Sequence, residues 1–202
     1  MSTLQPSTCF WHTDREGVRT RAFDAGEFWR WGFSKVQENV LRGILAEFIV
    51  ARAVEAEVGV RNAFDETDLV TPSGIKLEVK STGYVQAWHE DRGAERVRFG
   101  GLKSRGADVY VLCVHTARSR AAYDPLDLDQ WEFWVVARRT LERLGSQKLG
   151  YGQLRALAYA PVPYVGLRAR IERVYREARL AIGGIRGAGA SRSAPPPRSS
   201  SA

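Results

Sequence analysis

The sequence predicts an α/β domain in which a mixed central β-sheet is flanked by helices. A long amphipathic stretch comes first, and several short runs of strand-forming residues follow it. Two of these runs, "ADVYVLCVH" (107–115) and "QWEFWVVA" (130–137), are rich in β-branched and aromatic residues and are bounded by turn-forming residues. A second amphipathic stretch lies near the C-terminus. This order of helix, strands and helices is typical of a sheet covered by helices.

The first part of the chain divides into an aromatic segment and a long helix. Residues 1–33 are rich in Trp and Phe without a regular period, and we expect them to pack against the core rather than to stack on nucleic-acid bases. A helix is predicted from Lys35 to Val58, with Ser34 as its N-cap and Gly59 as its end.

Shorter elements follow this helix. Two strands are predicted near residues 67–71 and 75–81, and residues 95–99 are a candidate for another strand. A short helix is expected to begin near Thr140, and a longer one to span about residues 165–182. Residues 34–182 are therefore predicted to form one domain. The tail, 183–202, is low-complexity Gly, Ser, Pro and Arg sequence that cannot bury enough apolar area to fold, so we expect it to be disordered.

Composition limits the class of protein. A chain of 202 residues with 44% hydrophobic content can bury one sizeable core. No stretch approaches the roughly 18 uncharged apolar residues of a membrane span, and the N-terminus lacks the pattern of a secretion signal. Cys9 and Cys113 are too few for a disulfide framework, so a reducing cytoplasm is the simplest setting.

Net charge indicates an acidic partner. The chain carries a net charge of +7, which favours nucleic acid over a membrane. From Gly166 onward there are eight arginines against two glutamates, so most of the excess lies at the C-terminal end. Arg186, Arg192 and Arg198 of this end are candidates for contact with a phosphate backbone. A solvated amphipathic helix followed by a flexible tail is an equally good interpretation.

The stretch "GIKLEVKSTG" (74–83) is the most informative part of the sequence. Its alternation places Lys76, Glu78 and Lys80 on one face of a strand and apolar residues on the other. This pattern is also typical of a half-buried strand with one wet face. Asp68, on the preceding strand, can approach Glu78 because neighbouring strands lie about 4.8 Å apart. Two carboxylates that close repel each other unless a cation lies between them, and oxygen ligands favour Mg²⁺ or Mn²⁺.

Glu47 is a third carboxylate of interest. Steps of three and four residues along the predicted helix place it in one row with Val40, Ile44, Ala51, Val54 and Val58. A lone Glu in a core-facing row costs several kcal/mol unless it is paired, protonated or bound to a metal. Glu47 therefore either reaches the site that contains Asp68 and Glu78, or pairs with a buried arginine.

The order of helical Glu47, then Asp68, then "Glu78-Val79-Lys80" resembles the PD-(D/E)XK nuclease superfamily, which includes restriction endonucleases, Holliday junction resolvases and Mrr-type nucleases. The resemblance covers about residues 36–137. It implies a restriction endonuclease-like core, a mixed sheet flanked by helices in roughly αβββαβ order. Thr67 stands where the proline that gives the family its name would be.

The resemblance also implies roles for the site residues. Asp68 and Glu78 would be metal ligands, with the backbone carbonyl of Val79 as a third. Lys80 would position the attacking water, and Glu47 would assist through the metal or the water. These roles imply a Mg²⁺ cofactor, with Mn²⁺ as the alternative ion.

Two further positions are less specific. Gln86 resembles a glutamine that some members place after the lysine, although here it lies closer to the lysine than expected; the alternative is a surface polar residue. Lys76 shares the face of Lys80 and is either a phosphate contact or a solvated strand lysine.

Together these features predict a Mg²⁺-dependent DNA endonuclease of restriction-like type, in defence against foreign DNA or in DNA repair. A non-catalytic DNA-binding module on the same fold and a ribonuclease are the alternatives. The resemblance leaves a homodimer open, although no sequence feature indicates an interface. No nucleotide cofactor is expected, because "FGGLKS" (99–104) lacks the spacing of a phosphate-binding loop.

Overall fold

The computed structural model of the chain describes residues 4–57, 59–62, 65–86, 93, 97–102, 106–157 and 160–188, with the backbone alone for residues 182–188. Within these ranges the chain is a mixed α/β structure whose central sheet is flanked by helices, which confirms the predicted mixed sheet and its flanking helices. No helix of this described part is both long enough and apolar enough to cross a membrane.

The N-terminal segment forms a hairpin and a helix. Strands β1 (Cys9–Thr13) and β2 (Arg19–Asp24) pair antiparallel with each other. Helix α1 (Ala25–Phe33) follows directly, and the Asp24 carboxylate caps it by accepting the Glu27 N–H at 2.9 Å. The sequence predicts that this segment packs on the core, but most of its aromatic side chains are exposed, up to 87% for Trp31. The two strands pair with each other and not with the central sheet, and nearly all of their residues are exposed.

Helix α2 (Asn39–Ala53) starts later and ends earlier than predicted. Ser34 ends α1 instead of capping α2, and Glu38 is the N-cap residue. The predicted core-facing row is correct only in part. Ala51 and Val54 are buried, but Val40 is 74% exposed and Val58 lies outside the described residues. The side of α2 that packs on the sheet also carries Ala46, Ile49 and Val50, which the predicted row does not include.

The described residues between α2 and Ala137 form the strands β3 (Leu69–Val70), β4 (Lys76–Gly83), β5 (Arg98–Phe99), β6 (Val109–His115) and β7 (Trp131–Ala137). The central sheet has the order β3-β4-β6-β7. Strand β4 pairs antiparallel with β3 and parallel with β6, and β6 pairs antiparallel with β7, so the sheet is mixed. Between β6 and β7 the chain forms turns and a short 3₁₀ helix, not the α-helix that the αβββαβ order places there.

The C-terminal third supplies the remaining helices. Helix α3 (Arg138–Leu144) begins directly after β7, close to the predicted start. Strand β8 (Leu149–Gly150), which pairs with β5, and helix α4 (Tyr151–Leu157) were not predicted, because each is too short to show a hydrophobic period. Helix α5 (Leu167–Ala188) continues past residue 182 into the predicted tail. Residues 189–202 lie outside the described residues.

Two apolar clusters hold the sheet between its helices. On one face, Leu77 and Val79 of β4 pack with residues of α2 and α5. On the other face, Tyr110 and Leu112 of β6 pack with residues of α3, α4, β5 and β8. Both faces of the sheet are therefore covered, and the two clusters meet at the fully buried strand β6.

A buried polar cluster lies where β4 and β6 end. Arg42 of α2 is buried and donates from Nη2 to Asn39 Oδ1 at 2.6 Å and to Gln86 Oε1 at 3.5 Å.

His115 is buried at the end of β6, where its ring stacks on Tyr123 with the ring centres 4.1 Å apart. His115 Nε2 lies 3.2 Å from the Asp124 carbonyl, which can only accept, so Nε2 carries the proton. His115 Nδ1 has no partner among the described residues.

We expect stability to fall at acid pH partly because of His115. Burial lowers the pKa of His115 below its ordinary value of 6.5, and the hydrogen bond to Asp124 opposes this shift in part. Below about 6.5 the unfolded chain binds a proton that the folded chain does not, so the free energy of unfolding should decrease by up to about 1.4 kcal/mol per pH unit. Urea unfolding of wild type and His115→Gln at about pH 7.5 and about pH 5 measures this contribution. The variant should lose less stability on acidification than the wild type, whereas exposed His12→Gln, the matched control, should behave like the wild type. Equal losses in all three proteins would contradict the assignment.

Candidate active site at the β3–β4 edge

Asp68, Glu78 and Lys80 come together where β3 meets β4. Asp68 directly precedes β3. Because the antiparallel register pairs Leu69 with Leu77, Asp68 lies opposite Glu78. The Val79 N–H donates to Asp68 Oδ2 at 2.7 Å. The proximity of Asp68 and Glu78 that was predicted from the sequence is thus produced by a local hairpin turn, closed by the hydrogen bond from Gly74 N–H to the Thr71 carbonyl.

Lys80 bridges the two carboxylates. Its Nζ lies 2.5 Å from Glu78 Oε1 and 3.9 Å from Asp68 Oδ2. Its side chain is 28% exposed, and those of Glu78 and Asp68 are less exposed than that. Charges that are partly removed from water interact more strongly than surface charges do. The ammonium group is therefore the counter-charge that allows two carboxylates to lie at one strand edge.

The face of the sheet that carries Glu78 and Lys80 is opposite to the face on which α2 packs. Glu78 pairs in register with Tyr110 and Lys80 with Leu112, and both partners belong to the cluster on the α3 and α4 side. Gly101 approaches this face with a φ of 69°, and a Cβ there would lie 3.9 Å from Lys80 Cε. The loop that contains Gly101 thus forms part of the wall next to Lys80.

Glu47 reaches the same edge from the α2 side and pairs with Arg61. Arg61 Nε and Nη2 donate to the two carboxylate oxygens of Glu47 at 2.5 and 2.8 Å. The Glu47 side chain is 14% exposed and the Arg61 side chain is 41% exposed. Glu47 therefore pairs with an arginine, as one of its two predicted roles requires, but this arginine is not buried. The hydrogen bond to Glu47 is the largest cause of the raised pKa of Arg61, and the Asp68 charge adds to it.

A cavity of about 240 Å³ connects Glu47 to Asp68. Its lining includes Glu47, Arg61, Asp65, Asp68 and the apolar side chain of Leu69, whereas Glu78 and Lys80 are not among the described residues that line it. Asp68 is therefore the link between the two halves of the site, since it lines the cavity of Glu47 and contacts Lys80.

The donor set fits a small hard cation. Asp68 and Glu78 supply carboxylate oxygens, and the Val79 carbonyl is expected on the same side as its N–H, because both groups of a strand residue point to one edge. Mg²⁺ is commonly bound by one or two carboxylates and keeps several waters. Among the described residues no group of three or more His, Cys, Asp or Glu side chains could hold a metal ion, so backbone and water oxygens would have to complete the ligands of an ion held by Asp68 and Glu78.

Gln86 and Lys76 lie outside this arrangement. Gln86 is buried, accepts from Arg42 and donates from Nε2 to the Gly83 carbonyl at 2.8 Å. Its interpretation as a surface residue is wrong, and in this conformation its amide is occupied by structural hydrogen bonds instead of facing a nucleic acid. Lys76 is exposed on β4 and lies 3.8 Å from Glu66 Oε2, so it remains accessible to a ligand.

The structure places the three C-terminal arginines only in part. Arg186 belongs to the last turn of α5, where the backbone alone is described, and Arg192 and Arg198 lie outside the described residues. Sequence reasoning also missed Arg61, which precedes β3 in an irregular stretch that shows no period. Its position a few residues before Asp68 was the one available signal.

The chain matches no protein-family model, and no match is found among curated proteins.

We expect Asp68 to stabilise the fold as well as the site. Asp68→Ala leaves the buried Val79 N–H without its acceptor, which should lower the free energy of unfolding by about 1–3 kcal/mol. Asp68→Asn keeps an oxygen acceptor and should cost less. Urea unfolding in EDTA measures both changes, and Asp65→Ala, on the same stretch but exposed, should stay within about 0.5 kcal/mol of wild type. An Asp68→Ala protein as stable as the wild type would show that the hydrogen bond does not organise the hairpin.

Proposed function

We propose that the chain is a Mg²⁺-dependent nuclease that hydrolyses phosphodiester bonds of DNA, built on a restriction endonuclease-like core. The observation that carries the proposal is the contact of Lys80 with both Asp68 and Glu78 at the open edge of the sheet. Phosphodiester hydrolysis requires a cation site, a positioned water and a fixed positive charge, and this edge offers groups suited to each requirement. The net charge of +7 supports a polyanionic substrate.

The residues of the site suggest how the reaction would run. A water oxygen forms a bond to phosphorus, the bond from phosphorus to the leaving oxygen breaks, and a proton from the water is transferred through solvent to that oxygen. Lys80 is charged and can only donate, so it would orient the water and offset the charge that develops on the phosphate oxygens. Asp68 and Glu78 would hold Mg²⁺, which lowers the pKa of bound water and neutralises phosphate charge.

One observation favours a non-catalytic nucleic-acid-binding module instead. Lys80 and Arg61 already neutralise Glu78 and Glu47, so two of the three carboxylates that meet here have a counter-charge without a metal ion. Incubation of the purified chain with plasmid, linear and branched DNA and with RNA, each with Mg²⁺ or EDTA, separates the candidates. Mg²⁺-dependent cutting of DNA supports the proposal, cutting of RNA alone supports a ribonuclease, and tight binding without cutting supports the module.

We expect Lys80→Ala to abolish cleavage but to keep DNA affinity within about tenfold of wild type, or 1.4 kcal/mol. One ammonium among 30 basic residues contributes little to binding a polyanion, yet the Lys80 ammonium lies between both carboxylates. Lys76→Ala is the matched control, since it removes a lysine from the same strand face and should cut at nearly the wild-type rate at saturating DNA. Thermal melts in EDTA establish that both variants are folded. Wild-type cutting by Lys80→Ala would remove Lys80 from the chemistry.

Truncation after Ala188 should weaken non-specific DNA binding without shortening α5. The deleted residues include Arg192 and Arg198. For each arginine removed that binds a phosphate of duplex DNA, the slope of log affinity against log salt concentration should become shallower by about 0.9. A full-length chain with both arginines replaced by Gln is the control for the shorter length. An unchanged slope in both proteins would show that the tail does not touch DNA.

A further inference from the structure

The ion pair between Arg61 and Glu47 lies in the cavity that Asp68 also lines, so its position is suited to ligand binding. Arg61 holds both oxygens of Glu47 and lines the same cavity as Asp68. Both carboxylates raise the pKa of Arg61, so its guanidinium is charged under all ordinary conditions. A full positive charge thus occupies the side of the site that faces α2, where Glu47 would otherwise stand unpaired near Asp68.

The geometry of the ion pair allows Arg61 to exchange the carboxylate of Glu47 for a phosphate. A guanidinium presents parallel N–H groups that match a carboxylate and a phosphate equally well. Arg61 is the more exposed member, at 41% against 14% for Glu47, so a ligand that enters the cavity meets the arginine first. The arginine side of the pair is open to water and partly screened, so Arg61 can leave Glu47 when a phosphate offers it an equivalent partner.

We propose that Arg61 binds a phosphate of the nucleic-acid substrate and that Glu47 holds this arginine in place while the site is empty. The inference rests on the proposed function and extends it to a residue outside the predicted set. When Arg61 turns to a phosphate, Glu47 loses its partner and becomes an additional carboxylate for Mg²⁺ beside Asp68. Substrate and Mg²⁺ therefore bind with positive coupling, which must be reciprocal.

The first test measures Mg²⁺ affinity in the absence of DNA by isothermal titration calorimetry on the full chain. Arg61→Gln removes the competitor for Glu47 and should bind Mg²⁺ about fivefold more tightly than wild type, the change that corresponds to about 1 kcal/mol. Arg168→Gln is the matched control. It breaks an Arg–Glu pair that is exposed and lies elsewhere, with Arg168 Nη1 2.5 Å from Glu55 Oε2, and neither residue lines the cavity of Arg61. Its Mg²⁺ affinity should equal that of wild type.

The second test measures duplex DNA affinity in EDTA, where no cleavage is expected. Glu47→Gln releases Arg61 and should bind DNA more tightly than wild type, whereas Arg61→Gln should bind it less tightly. Arg61→Lys keeps the charge but not the fork of N–H groups, so it should fall between wild type and Arg61→Gln. A gain of affinity by Glu47→Gln cannot be imitated by a partly unfolded protein.

The outcomes separate the inference from the proposed function. If wild type binds Mg²⁺ and cuts DNA, but Arg61→Gln gains no Mg²⁺ affinity or Glu47→Gln gains no DNA affinity, then Arg61 is a structural anchor and the inference alone is overturned. If wild type neither binds Mg²⁺ nor cuts, both are overturned. Opposite shifts in the two variants, with Arg168→Gln unchanged, support the inference.

Discussion

Strand β4 is paired on both sides, and the groups of the candidate site take their positions from that pairing. Its parallel register with β6 runs from Leu77 opposite Val109 to Gly83 opposite His115. Because side chains alternate along a strand, the same register that buries Leu77 and Val79 against α2 turns Glu78 and Lys80 to the other face. A slip of one residue would place the charged side chains in the apolar cluster, so the core and the site are specified by one constraint.

Two arginines join α2 to its surroundings, Arg42 to the residues after β4 and Arg61 to the stretch before β3. Arg42, in the first turn of the helix, is buried and reaches Gln86 just beyond β4, so it ties one end of the helix to one end of the strand. Arg61 holds Glu47 near the middle of the helix through an open, partly hydrated ion pair. The first attachment is costly to break because a buried cation would lose its acceptors, whereas the second can be exchanged. Helix α2 thus has one permanent attachment and one replaceable attachment.

The sequence predicted the parts of the structure that local patterns encode. The strands β4, β6 and β7 show alternation or continuous apolar runs, and the carboxylate of Asp68 was placed beside Glu78 by a turn of a few residues. The surroundings of Glu47 could not be predicted in this way. Its partner Arg61 lies in an irregular stretch. The buried row of α2 depends on how the helix is rotated against β4, and this rotation is determined by contacts between residues far apart in the sequence. The exposure of the hairpin of β1 and β2 could not be predicted either, because aromatic side chains favour burial in most proteins.

The short length of β3 affects the dynamics of the candidate site. Asp68 and Val79 are 11 residues apart in sequence, and β3 contributes two residues at the margin of the sheet. Such margins open by local unfolding at a lower free energy than the centre, here β6, so the carboxylates can separate while the core stays folded. A ligand that bridges Asp68 and Glu78 would bind across this opening and hold it closed. Ligand binding at the site and local unfolding of the sheet margin are then coupled. Hydrogen exchange of the backbone amides of β3 and β4 would slow when the ligand is bound.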